Sequence, residues 1–457
     1  MPRTKKQNNP TPHRPMNKLS AIALLACLSA GLQAQETWSL RRCIDYAIEH
    51  NIDIRQAANT AEQSAVEVNT AKWARLPNLN GSANQSWNWG RTQTAVPDET
   101  TGDYSTVYVN TASNGTNMQL STSIPLFTGL ELPHQYSLAK LNLKAATADL
   151  QKAKDDISIN IASAYLQVLF NQELHDVALG QVELSLQQCQ RIEGLAGVGK
   201  ASSAEVADAR ARVAQDRMTA VQTENDYRLS LLTLSQLIEL DSPEGFMLES
   251  PSTAITPSPV TPPDDIYQTA LTSKASIQAA QYRLEGSKHS VRIAQSGFYP
   301  QLNLNGSLGT SYYSTINRTF RQQMGDNFSK YLGLSLSVPL FNRLATRNRV
   351  RTARLQQENY ALQLENAKKT LYKEIQQAWY NATAAESKYA SSHAATLASE
   401  ESFRLMTQKY ENGKANAVEF NEAKQNLMKA QSDELQAKYE YLFRTKILDF
   451  YKGVPIE

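Results

Sequence analysis

The chain has little of what fixes a compact enzyme or a helical membrane protein. Only three cysteines occur in 457 residues, at positions 27, 43 and 189, with no CxxC spacing, so neither a disulfide framework nor a thiolate metal site is indicated. The six histidines are dispersed and form no metal-ligand pattern. Hydrophobic residues make up 41% of the chain and mean hydropathy is −0.46, which argues against a helical membrane protein. The one continuous apolar run, residues 19–32, is too short to cross a bilayer as a helix. Charge of neither sign dominates, with 46 basic against 44 acidic residues, and no nucleic-acid footprint is left. Residues 194–200 resemble a phosphate loop, but Ala201 stands where serine or threonine is required and no apolar strand precedes it. No nucleophile constellation is present, so neither an enzyme nor a cofactor is expected.

Proline is missing from two long stretches, residues 134–242 and 340–452. Because proline costs a helix interior about 3 kcal/mol or more, each stretch is free to be helical almost throughout. Landmarks in the two recur at one offset: Pro125 to Pro339, Gly199 to Gly413 and Glu205 to Glu419 are each 214 residues apart. The chain reads as two copies of one plan, residues 35–242 and 264–457. Between them lies a linker over 243–263, and the stretch 241–263 holds six of the 17 prolines.

The first 34 residues read as a signal peptide, with Lys5, Lys6, Arg14 and Lys18 before the apolar run and Ala34 offering a small residue for cleavage. Met16-Asn17-Lys18 gives a compact basic n-region, so the start is read as either Met16 or Met1. Cys27 loosely matches a lipoprotein cleavage box, although the apolar run continues beyond it. Without this segment the net charge is −3. Cys43 and Cys189 fall on different predicted helices, as separate, semi-buried packing residues.

Within each copy the hydrophobic period changes in the same order. Helices are expected over 40–50 and 54–75, stopped by Pro77. From Asn78 the residues alternate, with Leu79, Gly81, Ala83, Trp87 and Trp89 on one side and Asn78, Asn80, Ser82, Asn84 and Asn88 on the other. A polar loop over 91–104 then leads to a returning strand from Asn117 to Pro125. Long helices follow over 133–193 and 202–240, with the chain turning at the glycines between them. The second copy gives helices over 265–272 and 275–296, strands after Pro300 and before Pro339, and helices over 343–410 and 416–451. The helix over 343–410 would be about 100 Å long. Its shorter return leg cannot cover it, so 275–296 supplies the missing length, as 54–75 does in the first copy. Helices this long need neighbours for their narrow apolar stripes.

The expected fold is therefore mixed, predominantly α: long antiparallel helical hairpins capped by β-hairpins. Strands of about ten residues with one apolar and one hydrated face suit a β-structure crossing an outer membrane. Four strands cannot close a barrel, and open edges are not tolerated in lipid, so closure has to come from other subunits, with twelve strands in a trimer.

On these grounds the sequence resembles the TolC family of outer-membrane efflux proteins. Two segments carry the resemblance at matching points, Ser123-Ile124-Pro125-Leu126-Phe127 and Ser337-Val338-Pro339-Leu340-Phe341. The turns Gly197-Val198-Gly199 and Tyr410-Glu411-Asn412-Gly413 add to it, each with an acidic residue six positions past the last glycine. The resemblance implies a homotrimer with an α-helical barrel continuous with a transmembrane β-barrel, in the outer membrane of a Gram-negative bacterium. It further implies a periplasmic adaptor and an inner-membrane transporter as partners, in a tripartite efflux pump or type I secretion system. By the same resemblance, Gly197, Val198, Gly199, Asn412 and Gly413 are adaptor-docking tips. Glu205, Asp208, Glu419 and Glu422 are entrance carboxylates, and Tyr410 belongs to the closed state. Ala415 stands where some members have a latching arginine.

Each site has a plainer reading. Ser202-x-x-Glu205 and Asn416-x-x-Glu419 have capping-box spacing, the turn glycines can be ordinary helix ends, and Asp208 and Glu422 can belong to a solvated face. The rival function is a secreted or surface structural coiled coil, against which the four alternating strands stand. A periplasmic adaptor would need further soluble β-domains, and a diffusion porin would have far less helix. The cargo is not encoded in a lumen of generic polar groups.

Overall fold

The computed structural model describes residues 37–97, 102–243, 245–249 and 261–456. The expected signal peptide, with Cys27 and both candidate starts, lies outside these residues.

Helices dominate, and their lengths match between the halves. Helices α1 (Leu40–His50) and α2 (Ile52–Trp73) have 11 and 22 residues. Helices α3 (Glu131–Gly197) and α4 (Ser203–Leu237) have 67 and 35. The second half gives α5 (Pro263–Ser273) and α6 (Ala275–Ser296), again 11 and 22 residues. After the seven-residue helix α7 (Phe320–Asp326) come α8 (Ala345–Glu411) and α9 (Ala417–Tyr451), again 67 and 35 residues. Helix α3 lies against α4 along one part of its length and against α2 along another; α8 does the same with α9 and α6. The composite second leg expected from the lengths is thus formed. The halves join where α3 packs on α6 and α9. Both 67-residue helices start from a leucine in the left-handed region, Leu130 at φ 66° and Leu344 at φ 63°, so equivalent strained corners turn strand into helix.

The core sits at mid-length. Ile161, Val168, Leu169, Leu234 and Ile238 are essentially inaccessible and pack with Cys43 and Ala47 of α1. A second cluster joins Ile266, Ile277, Ile375 and Leu448 from α5, α6, α8 and α9. Cys43 and Cys189 are both buried and unpaired, and burial pushes the Cys43 thiol up to about 12.

The four-stranded sheet has the order β2–β3–β5–β6 and is antiparallel throughout, from β2 (Asn78–Pro97), β3 (Tyr104–Phe127), β5 (Gln301–Tyr313) and β6 (Ser329–Ser337). Leu79, Trp89, Leu332, Leu334 and Leu336 are each at least 65% exposed, a continuous apolar outer face. The hydrated face is cross-linked between strands: Ser123 Oγ donates to Asn305 Oδ1 at 2.9 Å and Asn305 Nδ2 to Ser335 Oγ at 3.0 Å. None of the described helices is long and apolar enough to cross a membrane.

Several sequence expectations are corrected. The polar loop over 91–104 is mostly strand, and the returning strand begins at Tyr104 rather than Asn117. Strand β2 runs to Pro97 and β3 starts two residues after Gly102, and the Thr, Val and Tyr residues of these strands favour pleated backbone. Strand β3 also continues past Pro125 to Phe127, with a register irregularity at the proline. Pro77, Pro300 and Pro339 lie just outside strands. In the stretch read as linker, Met247–Leu248 forms β4 and pairs in parallel with β1 (Thr37–Trp38). The Tyr165 hydroxyl clamps this pair from below, 2.6 Å from Glu249 O and 3.0 Å from Trp38 O. Pro263 starts α5 instead of ending the linker, since a first-turn proline loses no hydrogen bond.

Candidate functional site

The hairpin tips, at the end of the helices away from the sheet, bring most of the predicted residues together. Helix α3 runs through Gly194 to Gly197, four residues beyond the expected stop, because glycine late in a helix is tolerated and the turn is set two residues on. There Gly199 takes φ +73°, with Gly199 N–H donating to Ala196 O at 3.0 Å and Lys200 N–H to Leu195 O at 2.8 Å. The other tip repeats this at Gly413, φ +70°, with Lys414 N–H donating to Lys409 O at 2.8 Å. Each glycine is a left-handed helix end that a Cβ would strain. Val198 is 68% exposed at the apex, and Asn412 caps the end of α8.

Glu205 and Glu419 close capping boxes. The Ser202 N–H donates to Glu205 Oε2 at 2.6 Å, and Glu205 N–H returns to Ser202 Oγ at 3.2 Å. Asn416 N–H donates to Glu419 Oε2 at 3.0 Å, and Glu419 N–H to Asn416 Oδ1 at 2.9 Å. Accepting bonds from the Ser202 backbone and hydroxyl holds the Glu205 carboxyl below its ordinary value of 4.5. A lowered carboxyl stabilises the fold above the unfolded value, and that contribution disappears as pH falls through the lowered one. Amide protection in the first turn of α4, taken relative to the intrinsic exchange rate at each pH, should therefore be full at neutral pH and fall as pH drops below 4.5. Glu205→Gln keeps the cap without the titration, so exchange there should lose its acid limb; an unchanged acid limb would assign it elsewhere.

Asp208 and Glu422 are exposed one turn further along. Tyr410 stacks on Phe420 with ring centroids 4.8 Å apart. The Arg191 guanidinium reaches over from α3: it lies 5.8 Å from the Tyr410 ring, donates to Glu411 O at 3.1 Å and pairs with the Glu411 carboxylate at 3.4 Å. Ala415 lies half-buried nearby and makes no such bond through its side chain. A groove of about 340 Å³ opens between the tips, lined by Ile192, Leu195 and Phe420 together with the charged Lys200, Arg212 and Asp208.

Sequence reading missed the strongest polar link of this region. Lys424 is only 9% exposed, and its ammonium meets Asp216 Oδ2 at 2.6 Å, the Ser185 hydroxyl and Gln181 O at 3.3 Å. Ser185 also hydrogen-bonds the same carboxylate. One cation thereby ties α9 to both helices of the other hairpin. Its signal was a lysine between Phe420 and Leu427 on the buried stripe of α9, where a third apolar residue belongs.

The outer membrane efflux protein family matches residues 43–238 and 266–451, most of the chain. The chain is 22% identical over 436 residues to Outer membrane protein TolC of Escherichia coli (strain K12), covering 93% of this chain and 84% of that one. It is 24% identical over 349 residues to Solvent efflux pump outer membrane protein SrpC of Pseudomonas putida, covering 74% of this chain and 68% of that one. The Campylobacter jejuni CmeC outer membrane channel superposes with a TM-score of 0.75 at 20% identity, over 98% of this chain and 93% of that one. The chain belongs to the outer membrane efflux protein family and so is a channel of the Gram-negative outer membrane, not an enzyme.

Proposed function

We propose that three copies close a twelve-stranded barrel continuous with a helical tunnel, serving as the exit duct of a tripartite efflux pump. The observation that carries this reading is the open sheet. Strands β2 and β6 each have one unpaired edge, and the outer face exposes Leu79, Leu120, Leu332, Leu334 and Leu336 over the part nearest the helices. An open edge in hydrocarbon leaves backbone groups unsatisfied at several kcal/mol each, so the sheet is complete in lipid only when β6 of one copy meets β2 of the next. The α-helical part then extends about 100 Å from the membrane, as a 67-residue helix does. In this assembly the two repeats divide at the stretch 243–263, and the tips at Gly197–Gly199 and Asn412–Gly413 dock a periplasmic adaptor linked to an inner-membrane transporter. The SrpC relative, named as part of a solvent efflux pump, favours the pump over type I secretion.

The test is in-cell photocrosslinking from Val198 and Lys414 of the full chain. An adaptor recovered from both tips supports the duct reading; tips that capture nothing while the protein sits as a trimer in the outer membrane overturn it.

Asp208 and Glu422, with their copies, would place six carboxylates around the entrance. Like charges gathered in a narrow aqueous constriction attract cations. Asp208→Asn with Glu422→Gln should lower cation selectivity in planar bilayers, and unaltered reversal potentials would remove these residues from the entrance.

A further inference from the structure

The β2–β3 hairpin is much longer than the sheet that carries it. Strand β3 pairs with β5 only from Gly115 onward, and the last ties across that seam are Ser314 N–H to Asn114 O at 2.9 Å and Asn114 N–H to Ser314 Oγ at 2.8 Å. Residues 88–97 and 104–114 continue alone, paired with each other in unbroken register up to Pro97 and Tyr104. Ten residues at strand rise make a ribbon of about 33 Å with two free edges. A two-stranded hairpin is marginal in water without a covered face, so this one needs a partner.

Its two faces differ in kind. Alternation places Trp89, Arg91, Gln93, Tyr104, Tyr108 and Asn110 on the side that continues the apolar outer face of the sheet. The opposite side continues the Asn and Ser face, but its chemistry changes on the way up, from Asn80, Ser82 and Asn84 to Thr92, Thr94, Val107, Val109 and Thr111. Thr92 and Thr111 hydrogen-bond across the strands at 2.8 Å. Arg91, on the outer side, is the one charge among the described residues of these two strands. Val107 and Val109 remain 45% and 41% exposed. A face meant only to line a water-filled duct would keep its amides; a flat, uncharged, β-branched face is self-complementary across strands.

We infer that the Val and Thr faces of the three ribbons pack on one another over the barrel axis, forming a collar above the exit. This rests on the trimeric reading, which turns that face toward the axis. The nearest surfaces there are the same faces of the other two copies, whereas lipid and the aromatic side lie outward. The collar makes the exit narrower and less polar than the Asn-lined barrel beneath it.

Single cysteines at Val107, Tyr108 and Val109 of the full chain, treated in intact cells with a short membrane-impermeant bis-maleimide, test it. Cys43 and Cys189 are buried and stay unreactive. Val107→Cys and Val109→Cys should give covalent dimers, the most that one thiol per chain allows, and Tyr108→Cys, one residue out of phase, should not. Equal yields at all three positions, no products from an intact native-gel trimer, or cross-links to another polypeptide would each overturn the collar while leaving the duct standing. A protein that runs as a monomer on the native gel would overturn the trimeric reading and the collar with it. As a second readout, replacing residues 90–111 by an Asn-Gly turn should keep the trimer and raise single-channel conductance; unaltered conductance would count against a constriction there.

Discussion

Lys424→Met is expected to loosen the hairpin tips more than any other single change in the helical part. The substitution keeps the stem that fills the stripe between Phe420 and Leu427 but strands the Asp216 carboxylate, which is 21% exposed and already holds the Ser185 hydroxyl. Breaking a buried ion pair from one side costs on the order of 3 kcal/mol, much of it the penalty of the charge left behind. Asp216→Asn alone strands the ammonium instead and should cost a comparable amount. The double change Lys424→Met with Asp216→Leu should recover much of the loss, because two apolar groups replace two charges with nothing left unpaired. Amide exchange over 181–216 and 416–427 measures the effect. A faster-exchanging tip in both single variants with partial rescue in the double is the expected pattern; no change in either single variant would show that the pair contributes nothing net. Exposed pairs such as Arg210 with Glu193, 69% and 40% exposed, should be near neutral by contrast.

Why this pair was not legible beforehand is physical. Lys424 and Asp216 lie 208 residues apart, and at the 214-residue offset the cation recurs as Arg210, which pairs with Glu193, while the acid does not, since Ala430 stands at the place equivalent to Asp216. A duplicated pattern draws the eye to what recurs, and this pair, made once between the halves, has no counterpart at the offset. The tip geometry was legible because it is local: a glycine that needs positive φ, then a Ser or Asn three residues before a Glu, is fully specified within eight residues. The structure makes Glu205 and Glu419 capping residues. Arg191 falls between these cases. Its partner Glu411 was visible at the second tip, but only the packing of α3 on α9 brings the two tips close enough for them to meet.

The same division runs through the fold. Absence of proline licensed four long helices and Asn-Leu alternation licensed β5, because both are one-dimensional patterns. The ribbon of β2 and β3 escaped, since Thr and Val on one face and Arg, Gln, Ala and Asn among the aromatics on the other erase the apolar–polar alternation beyond Trp89. The β1–β4 pair escaped because two residues in each strand carry no period, and the pairing is held instead by Tyr165 from a distant helix. Helix α7 is set by its Thr319–Gln322 capping box and by Gln323, 2% exposed, whose amide nitrogen bonds Tyr313 O and Arg318 O, each at 3.0 Å.

Leu334→Arg should abolish assembly in the outer membrane, whereas the neighbouring Ser335→Arg should leave it intact. Leu334 is 66% exposed on the outer face of β6, paired with Leu304 and flanked by Leu332 and Leu336. A guanidinium near the middle of a lipid-facing strand costs about 2–4 kcal/mol, and threefold repetition in a trimer multiplies it. Ser335 points to the hydrated face, where it accepts from Asn305 at 3.0 Å. There an arginine meets water and three amide-bearing strands, so the cost is one lost hydrogen bond, about 1 kcal/mol. Membrane flotation followed by gel electrophoresis without boiling reads both changes, and the adjacent positions share strand propensity, depth and edge environment. Only the face differs. A trimer surviving Leu334→Arg would mean that this face meets water or protein instead of lipid, and loss of the trimer in both variants would mean that β6 tolerates no charge for reasons of pairing alone.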